Sequence, residues 1–300
     1  MDTSVELAGM RLRNPTMLAS GILGISYEVL KRVYEAGAGA VVSKSISIDA
    51  REGYKGPIIV KVDGGYVNAV GLSNPGIDAF IHELKDRAID IPLIVNLVGS
   101  TVDEFVSMVK MLDSIDILAY ELNLSCPHVE KVGLEVGDDI ELVSSIIKGI
   151  KNVTSKPVIA KLGLGKTDMI SVAKAAVDSG CDAVTAINTV RAMVIDVERC
   201  IPVLSNRIGG LSGKSIKPIA VRCVYELYRE DIPVIGCGGV YDWSDAIEFI
   251  LAGASAVQIG SAIGDRWLHV FNDINAGISS YLRRKGFKSI KELIGLANKG

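Results

Sequence analysis

Polar and charged side chains stand inside or at the carboxyl ends of apolar runs where a buried strand would ordinarily carry none. They come from five separate runs: Lys44, Asn96, Asn123, Lys161 and the pair Asn188-Thr189. An ammonium or amide group is costly to bury without a partner. Taken singly, each amide could cap a loop and each lysine could reach solvent. If the five runs end at one edge, these groups would suit a planar, polar, anionic ligand.

Glycines follow two later apolar runs, in Gly236-Cys237-Gly238-Gly239 and in Gly260-Ser261. Backbone N–H groups after strands seven and eight of a barrel commonly bind phosphate. The alternative is that these glycines only allow tight turns. Their presence after both runs favours the phosphate site, and therefore a phosphorylated cofactor or substrate.

Cys126 has polar neighbours, Ser125 and His128, and lies on a predicted loop. This position suits a nucleophile or a proton acceptor, with an ordinary thiol pKa of about 8.5. His128 could assist it, although ordinary loop polarity is the favoured interpretation. The role of Cys200 stays open. The remaining cysteines fit small buried apolar residues: Cys181, Cys223 and Cys237.

Composition narrows the class of protein. The 300 residues are 49% hydrophobic and 22% charged, which excludes a disordered chain, and the net charge of −3 argues against nucleic-acid binding. No apolar stretch approaches a membrane span, and the first residues lack the features of a signal peptide, so a cytoplasmic protein is expected. Five cysteines without C-x-x-C and three scattered histidines suggest no disulfide framework, cluster or metal site. Redox chemistry would then need an organic cofactor.

Eight apolar runs alternate with amphipathic segments, which predicts an α/β fold, the (β/α)8 TIM barrel, as one domain over residues 1–300. The predicted strands are residues 16–20, 40–44, 92–98, 117–123, 157–162, 182–188, 232–236 and 254–260. The clearest predicted helices are residues 102–112, 140–153, 169–179, 217–229 and 244–251. An open doubly wound sheet is less favoured, because no G-x-G-x-x-G follows the first run.

Three predicted connections are longer than a simple barrel needs: residues 45–76, 124–138 and 189–215. All three leave carboxyl ends of strands, the face that carries barrel active sites. Residues 5–14 indicate an N-terminal β-hairpin that could plug the opposite end. The basic residues 285–300 are expected to be helical and to form a solvated face.

With these residues in view, nearly the whole chain resembles the class 1 dihydroorotate dehydrogenases, flavin enzymes of pyrimidine synthesis. The segment around Cys126, Glu121-Leu122-Asn123-Leu124-Ser125-Cys126-Pro127, is the most specific. The other segments that carry the resemblance are residues 19–21, 43–45, 68–76, 187–191, 209–213 and 236–239.

The resemblance implies one FMN per chain. Its cofactor-binding residues would be Ser20, Gly21, Lys44, Ser45, Asn96, Asn123, Lys161, Ile187, Gly213, Gly238, Gly239, Gly260 and Ser261. The last four would hold the phosphate, and Lys161 would lie at the N1/O2 edge of the flavin. The substrate-binding residues would be Lys44, Asn68, Ala69, Val70, Gly71, Leu72, Asn123, Asn188 and Thr189. No metal is implied.

The implied reaction oxidises dihydroorotate to orotate. Cys126 would remove a proton from ring C5, hydride would pass from C6 to flavin N5, and Lys44 would stabilise charge on the substrate. Residues 68–76 and 188–191 are similar to the NAD-linked type, class 1B. That type implies a homodimer flanked by two partner subunits, which carry FAD and a [2Fe-2S] cluster and pass electrons to NAD+.

Three alternatives stay open. A dihydropyrimidine dehydrogenase-type enzyme shares the barrel and a Leu-Ser-Cys-Pro-His segment like residues 124–128, but it usually continues with a glycine-rich stretch that is absent here. A fumarate-linked class 1A enzyme differs in its electron acceptor. A barrel that only binds a phosphorylated metabolite would be colourless. In addition, residues 128–137 depart from the usual glycine-rich loop of the class 1 family.

Overall fold

A closed barrel of eight parallel strands forms the centre of the protein. The structure is a computed structural model that describes residues 1–85, 87–124 and 136–299. The strands of the described residues are, in chain order, β1 (Val5–Leu7), β2 (Met10–Leu12), β3 (Thr16–Leu18), β4 (Ala40–Val42), β5 (Ile59–Val62), β6 (Gly65–Asn68), β7 (Leu93–Leu97), β8 (Ala119–Asn123), β9 (Val158–Leu162), β10 (Ala183–Ala186), β11 (Val190–Met193), β12 (Ile195–Asp196), β13 (Ile201–Pro202), β14 (Ile208–Gly213), β15 (Val234–Cys237) and β16 (Ala256–Ile259). The barrel runs β3-β4-β7-β8-β9-β10-β15-β16 and closes between β16 and β3. The predicted barrel is confirmed, and the open sheet is excluded.

The barrel strands are buried along their length, which explains their nearly continuous apolar sequences. In β7, β8 and β9 every residue is buried, because helices cover the outside and side chains fill the interior. Most barrel strands are shorter than predicted, and two of them end before predicted site residues. β4 ends before Lys44, and β10 ends before Ile187 and Asn188. These three residues therefore lie on the loops that follow the strands.

Helices alternate with the barrel strands. Those of the described residues are α1 (Tyr27–Glu35), α2 (Ile77–Leu84), α3 (Val102–Leu112), α4 (Ile140–Lys151), α5 (Met169–Asp178), α6 (Lys217–Arg229), α7 (Trp243–Ala252), α8 (Ala262–Arg266) and α9 (His269–Lys285). α4 shows why they form: Val143, Ile146, Ile147 and Ile150 make one buried stripe, and the Asp139 side chain caps the first turn. Within the described residues, no helix is both long and apolar enough to cross a membrane.

The two ends of the chain pack together. β1 and β2 pair antiparallel, as predicted for an N-terminal hairpin, and Asp2 bridges to Ser289. The expectation of a solvated helix over residues 285–300 is wrong. α9 ends at Lys285, and short 3-10 turns follow at Ile290–Leu293 and Leu296–Asn298. Ile290 and Leu293 are buried, because the first of these turns packs its apolar side chains against α7.

Two of the long connections pair with each other and form a separate four-stranded antiparallel sheet. The connection after β4 supplies β5 and β6, and the connection after β10 supplies β11 and β14. The order is β11-β14-β6-β5, and Asn68 lies opposite Gly210 in the register. We call this the insertion sheet. Both connections leave carboxyl ends of barrel strands, so the sheet belongs to the mouth of the barrel.

Candidate active site

Side chains from the ends of four barrel strands meet at the mouth. The Ser20 and Ser45 hydroxyl oxygens are 3.5 Å apart, and Asn123 Nδ2 donates to Ser45 Oγ over 3.1 Å. Asn188 Nδ2 donates in turn to Asn123 Oδ1 over 3.2 Å. These contacts join the regions after β3, β4 and β10 to the end of β8. The predicted convergence of these distant residues is present in the structure.

The segment predicted to bind the substrate, residues 68–72, is held at the mouth by the insertion sheet. Asn68 Nδ2 donates to the Gly210 carbonyl oxygen over 3.2 Å. Gly210 packs so closely against Thr189 that an added Cβ would lie 2.1 Å from Thr189 Oγ1. Asn68 and Thr189 are therefore brought near one another. Leu72 has a φ of 57°, a left-handed conformation that costs about 1–3 kcal/mol in a residue other than glycine. Its carbonyl oxygen accepts from Asn74 Nδ2 over 2.8 Å, which helps to hold it there.

Ala69 and Val70 are fixed through their backbones. Ala69 N–H donates to the Ile58 carbonyl oxygen over 2.7 Å, and the Val70 carbonyl oxygen accepts from Tyr54 N–H over 3.1 Å. Gly71 has a φ of 76°, and an added Cβ would lie 2.8 Å from the Tyr54 nitrogen. Only glycine fits this close approach of two backbone segments, so the segment keeps a defined path.

Lys44 is half-buried on the loop after β4. Within the described residues its ammonium group has no hydrogen-bond or ion-pair partner, and burial lowers its pKa below the usual 10.5. A half-buried cation without a protein partner favours an anionic ligand. The structure thus gives the predicted ligand-binding lysine a suitable electrostatic setting.

A second polar layer lies below the mouth, inside the barrel. Lys161 Nζ donates to Gln258 Oε1 over 2.9 Å and lies 3.7 Å from a Glu121 carboxylate oxygen. Asn96 Nδ2 donates to the same carboxylate over 2.7 Å. Asn96 and Glu121 are fully buried, and Lys161 is 5% exposed. Asn96 and Lys161 are therefore beneath the rim rather than on it, and Lys161 does not extend to solvent.

Sequence reasoning missed three members of this layer: Glu121, Thr185 and Gln258. Thr185 Oγ1 donates to Glu121 Oε2 over 2.8 Å, and Gln258 Nε2 donates to the same oxygen. The signal was present in the sequence. A carboxylate inside the apolar run of residues 117–123 is as costly to bury as the lysine that drew attention at residue 161.

The turn after β15 is built so that only glycines fit. Gly238 and Gly239 have φ values of 125° and 83°, and an added Cβ on Gly239 would lie 2.7 Å from the Gly213 carbonyl oxygen. Gly260 and Ser261 follow β16, which lies beside β15 in the barrel. Cys237 of β15 pairs with Gln258 of β16. Among the described residues, the N–H groups of Gly238, Gly239 and Ser261 donate to no backbone carbonyl. Such N–H groups suit a phosphate.

The arrangement fits FMN, on two observations. First, Asn96 Oδ1 is buried and has no hydrogen-bond partner among the described residues, so it calls for a ligand donor such as a ring N–H. Second, the N–H groups of Gly238, Gly239 and Ser261 have no backbone acceptor among the described residues, as a phosphate site requires. Ile187 is held beside the glycine turn, since its N–H donates to the Cys237 carbonyl oxygen over 2.8 Å. At Gly21 an added Cβ would meet no atom within 4 Å, so that backbone stays open to a ligand.

Ser125, Cys126 and His128 lie outside the described residues, so the predicted base is not placed by the structure. The residues on either side are placed. Leu124 follows β8, and Asp138 ends a 3-10 turn over Val136–Asp138. Asp138 Oδ1 accepts from the Thr167 N–H over 3.0 Å, and its carbonyl oxygen accepts from Thr167 Oγ1 over 2.7 Å. The end of this connection is thus fixed to the loop after β9.

Comparison with known proteins agrees with this site. Residues 3–282 match the family model described as dihydroorotate dehydrogenase. Among curated proteins, dihydroorotate dehydrogenase B (NAD+), catalytic subunit, of Pyrococcus furiosus is 48% identical over 300 residues, all of both chains. Proteins of the same name from Pyrococcus horikoshii and Methanocella arvoryzae are 49% and 46% identical and are covered over 97% and 99% of their lengths. These relatives confirm the resemblance to the NAD-linked class. The chain belongs to the dihydroorotate dehydrogenase family.

Proposed function

We propose that this chain is the catalytic subunit of an NAD-linked dihydroorotate dehydrogenase, which oxidises dihydroorotate to orotate in pyrimidine biosynthesis. The observation that carries the proposal is the contact series from Ser20 through Ser45 and Asn123 to Asn188. It places hydroxyl and amide groups from four strand ends in one continuous surface at the barrel mouth. Below that surface lies a buried ammonium. The glycine turn after β15 carries N–H groups that have no backbone acceptor among the described residues.

FMN would occupy the space between these groups. Gly238, Gly239, Gly260 and Ser261 would hold its phosphate, and Gly213 closes the same turn. The ring would lie against Ser20, Gly21, Ser45 and Ile187, with Asn96 Oδ1 accepting a ring N–H. When bound, FMN supplies the acceptor for the hydride that leaves the substrate ring. Lys161 provides a positive charge at the ring edge, which favours the electron-rich, reduced form.

The substrate would bind on the amide surface. Asn123 and Asn188 can each donate and accept, which matches the alternating carbonyl and N–H groups of a pyrimidine ring. Residues 68–72 and Thr189 close the site from the insertion sheet. The Lys44 ammonium, which has no partner within the described part of the chain, would neutralise the substrate carboxylate and stabilise charge on its carbonyl oxygens. Together these groups fix the ring in one orientation.

Cys126 would be the base that removes the proton from the substrate. It comes three residues after Asn123, whose side chain is fixed on both sides by Ser45 and Asn188. A thiolate is the required form, so activity depends on the fraction of deprotonated Cys126. The thiolate would take the proton from ring C5, the C5–H electron pair would form the C5=C6 double bond, and the hydride would leave C6 for the bound flavin.

The first test is the absorbance spectrum of the purified chain, which should show bound flavin. Anaerobic addition of dihydroorotate should then bleach the flavin band. Uracil, NAD+ and fumarate should be compared in the same preparation. Reduction of uracil without oxidation of dihydroorotate would favour the dihydropyrimidine dehydrogenase type, rapid oxidation by fumarate would favour class 1A, and a colourless protein would leave a metabolite-binding barrel.

The relatives are named catalytic subunits, which supports assembly with another chain. We propose a partner subunit that carries FAD and a [2Fe-2S] cluster, and a heterotetramer built on a homodimer of this chain. The test is NAD+ reduction by dihydroorotate with and without the co-expressed partner, together with the mass of the complex in solution. The predicted cytoplasmic location stays a prediction, which cell fractionation can check.

A further inference from the structure

A buried ion pair sits at the centre of the barrel, below the mouth. Its members and their partners come from five strands: Asn96 of β7, Glu121 of β8, Lys161 of β9, Thr185 of β10 and Gln258 of β16. All five are at most 5% exposed. A barrel interior is ordinarily filled by apolar side chains, so this layer needs a reason.

The Glu121 carboxylate is surrounded by donors. One oxygen accepts from Asn96 Nδ2 over 2.7 Å and lies 3.7 Å from Lys161 Nζ. The other oxygen accepts from Thr185 Oγ1 and from Gln258 Nε2. These partners complement an ionised carboxylate, since a proton on either oxygen would point at a donor.

Lys161 is tied to this carboxylate twice. Its Nζ lies 3.7 Å from one Glu121 oxygen. It also donates to Gln258 Oε1, and Nε2 of the same amide group donates to the other Glu121 oxygen. In the strand register Lys161 lies level with Asn123, whose side chain is part of the amide surface at the mouth. The ammonium is therefore held from below and lies next to the ligand site above it.

Burial opposes the charge of Lys161. It lowers the pKa of the ammonium, whereas the neighbouring Glu121 carboxylate raises it, and the net shift is upward. Among the described residues, the titratable groups beside Lys161 are Glu121 of β8 and Cys237 of β15. Burial raises the pKa of the Cys237 thiol, which keeps it protonated and leaves Glu121 as the charged partner.

We propose that Glu121 is a positioning residue that fixes the Lys161 ammonium beneath the mouth and keeps it charged, and thereby sets the positive charge that the cofactor ring meets. The inference rests on the FMN site proposed above. It assigns Glu121 no contact with substrate or cofactor. Its effect would reach the cofactor only through Lys161, as a change in the relative affinity for reduced and oxidised FMN.

The test is the midpoint potential of bound FMN in the holoenzyme, measured against pH in wild type and Glu121→Gln. The variant keeps the size of the side chain and removes its charge. Lys161 should then lose its proton at lower pH, so the curve should gain an inflection that wild type lacks. Below the inflection the potential should exceed that of wild type, because the positive charge is uncompensated. Above it, the potential should fall below wild type.

The expected size is about tenfold in the ratio of the affinities for reduced and oxidised FMN on each side of the inflection, or about 30 mV for a two-electron couple. Three further variants test whether the inflection comes from Lys161. The inflection should vanish in Glu121→Gln/Lys161→Met and survive in Glu121→Gln/Cys237→Ala. Thr185→Val removes one hydrogen bond from the same carboxylate but keeps the ion pair, so its curve should match that of wild type.

A Glu121→Gln curve that superimposes on wild type would overturn the inference, as would an inflection that persists without Lys161. If Glu121→Gln does not fold, Glu121→Asp serves instead. The shorter side chain places the carboxylate farther from Lys161. The midpoint potential of this variant should therefore differ from wild type at alkaline pH, and an unchanged curve overturns the inference. Wild-type protein that binds no FMN would overturn the proposed function and this inference together, whereas bound FMN with unchanged curves overturns the inference alone.

Discussion

The N–H of Gly137 donates to the carbonyl oxygen of Leu124 over 2.7 Å, so the two described sides of the Cys126 connection meet. Leu124 is also held by its own N–H, which donates to the Lys161 carbonyl oxygen over 3.4 Å. The residue two positions before the predicted base is thus tied to the strand that carries the buried lysine. The connection that contains the predicted base therefore begins at a fixed point of the barrel mouth.

For Cys126→Ala we expect turnover of dihydroorotate to fall by about 10²–10⁴-fold, the usual contribution of a general base. Orotate binding should persist, because the amide surface is unchanged. Wild-type turnover should rise with pH toward the thiol pKa, since the thiolate accepts the proton. Stopped-flow reduction of the flavin measures both effects. Cys200→Ser, at an exposed thiol, is the control. Near-normal turnover of Cys126→Ala would remove the residue from this role.

Asn123→Ala should lower kcat/KM for dihydroorotate by about 5–150-fold, because an unmade hydrogen bond to a buried partner costs about 1–3 kcal/mol. The change also removes the bonds to Ser45 and Asn188. Asn298→Ala is a matched control, in which an amide that donates to the Ala252 carbonyl oxygen is lost far from the mouth. Steady-state kinetics give kcat/KM for both variants. Equal kcat/KM values would argue against substrate binding by the amide surface.

Lys44 gives orotate binding a pH dependence of known sign. Burial lowers its pKa in the free protein, and a bound carboxylate favours the charged form, so the complex keeps the proton to higher pH. Orotate affinity should therefore fall as pH rises through the lowered pKa toward 10.5. In Lys44→Met the affinity should be lower and should lose this dependence. Flavin difference spectra from about pH 7 to about pH 10 provide the measurement. A pH-independent affinity in wild type would contradict the assignment.

Gly239→Ala should weaken FMN binding and lower stability. Its φ of 83° costs about 1–3 kcal/mol with a side chain, and the new Cβ would press on Gly213 and Lys217, each 2.7 Å away. Gly286→Ala has a matching φ of 80° but open space around it, at the end of α9. It should lose similar backbone energy and retain FMN affinity. Fluorescence titration of FMN separates the two effects, and equal FMN affinities would exclude the phosphate turn.

Leu293→Ala tests the corrected C-terminal segment. The side chain is fully buried, so its truncation should lower the free energy of unfolding by about 2–5 kcal/mol. The flavin spectrum should not change, because the segment packs on α7 and not at the mouth. Lys291→Ala, which breaks an exposed ion pair with Glu6, should cost at most about 1 kcal/mol. Denaturant titration compares the two, and similar midpoints would show that the segment is only weakly attached.

The barrel was predictable because parallel strands buried on both faces leave long apolar runs, as in β7 and β9. The strand ends were less predictable. Ile187 is buried although it lies beyond β10, so its apolar character extended the predicted strand into the site. At the site, Asn123 and Asn188 could be identified from their positions at the ends of runs. Glu121 could not be paired with Lys161 from sequence alone, since the contact depends on which side chains face the interior.

The pairing of the strands in the insertion sheet could not be predicted from the sequence. Its central pairing joins Asn68 to Gly210, 142 residues apart, and nothing local sets the register between β6 and β14. The β-branched residues of β5 are typical of a strand, but the glycine-rich β14, which pairs with β6, gives no such signal. The sequence of β11 is an equally weak strand signal. Its solvent-facing side chains can be of any type, so they give no clear alternation of polar and apolar residues.

That pairing has a practical consequence for protein engineering. The two segments that form the sheet form one structural unit, although they lie far apart in the sequence. Grafting residues 45–76 from a homologue without residues 189–215 would mismatch the ladder at Asn68 and Gly210 and displace the close packing of Gly210 on Thr189. A chimera that exchanges both segments at once keeps its own ladder, so substrate preference should be transferred by the pair and lost by either half.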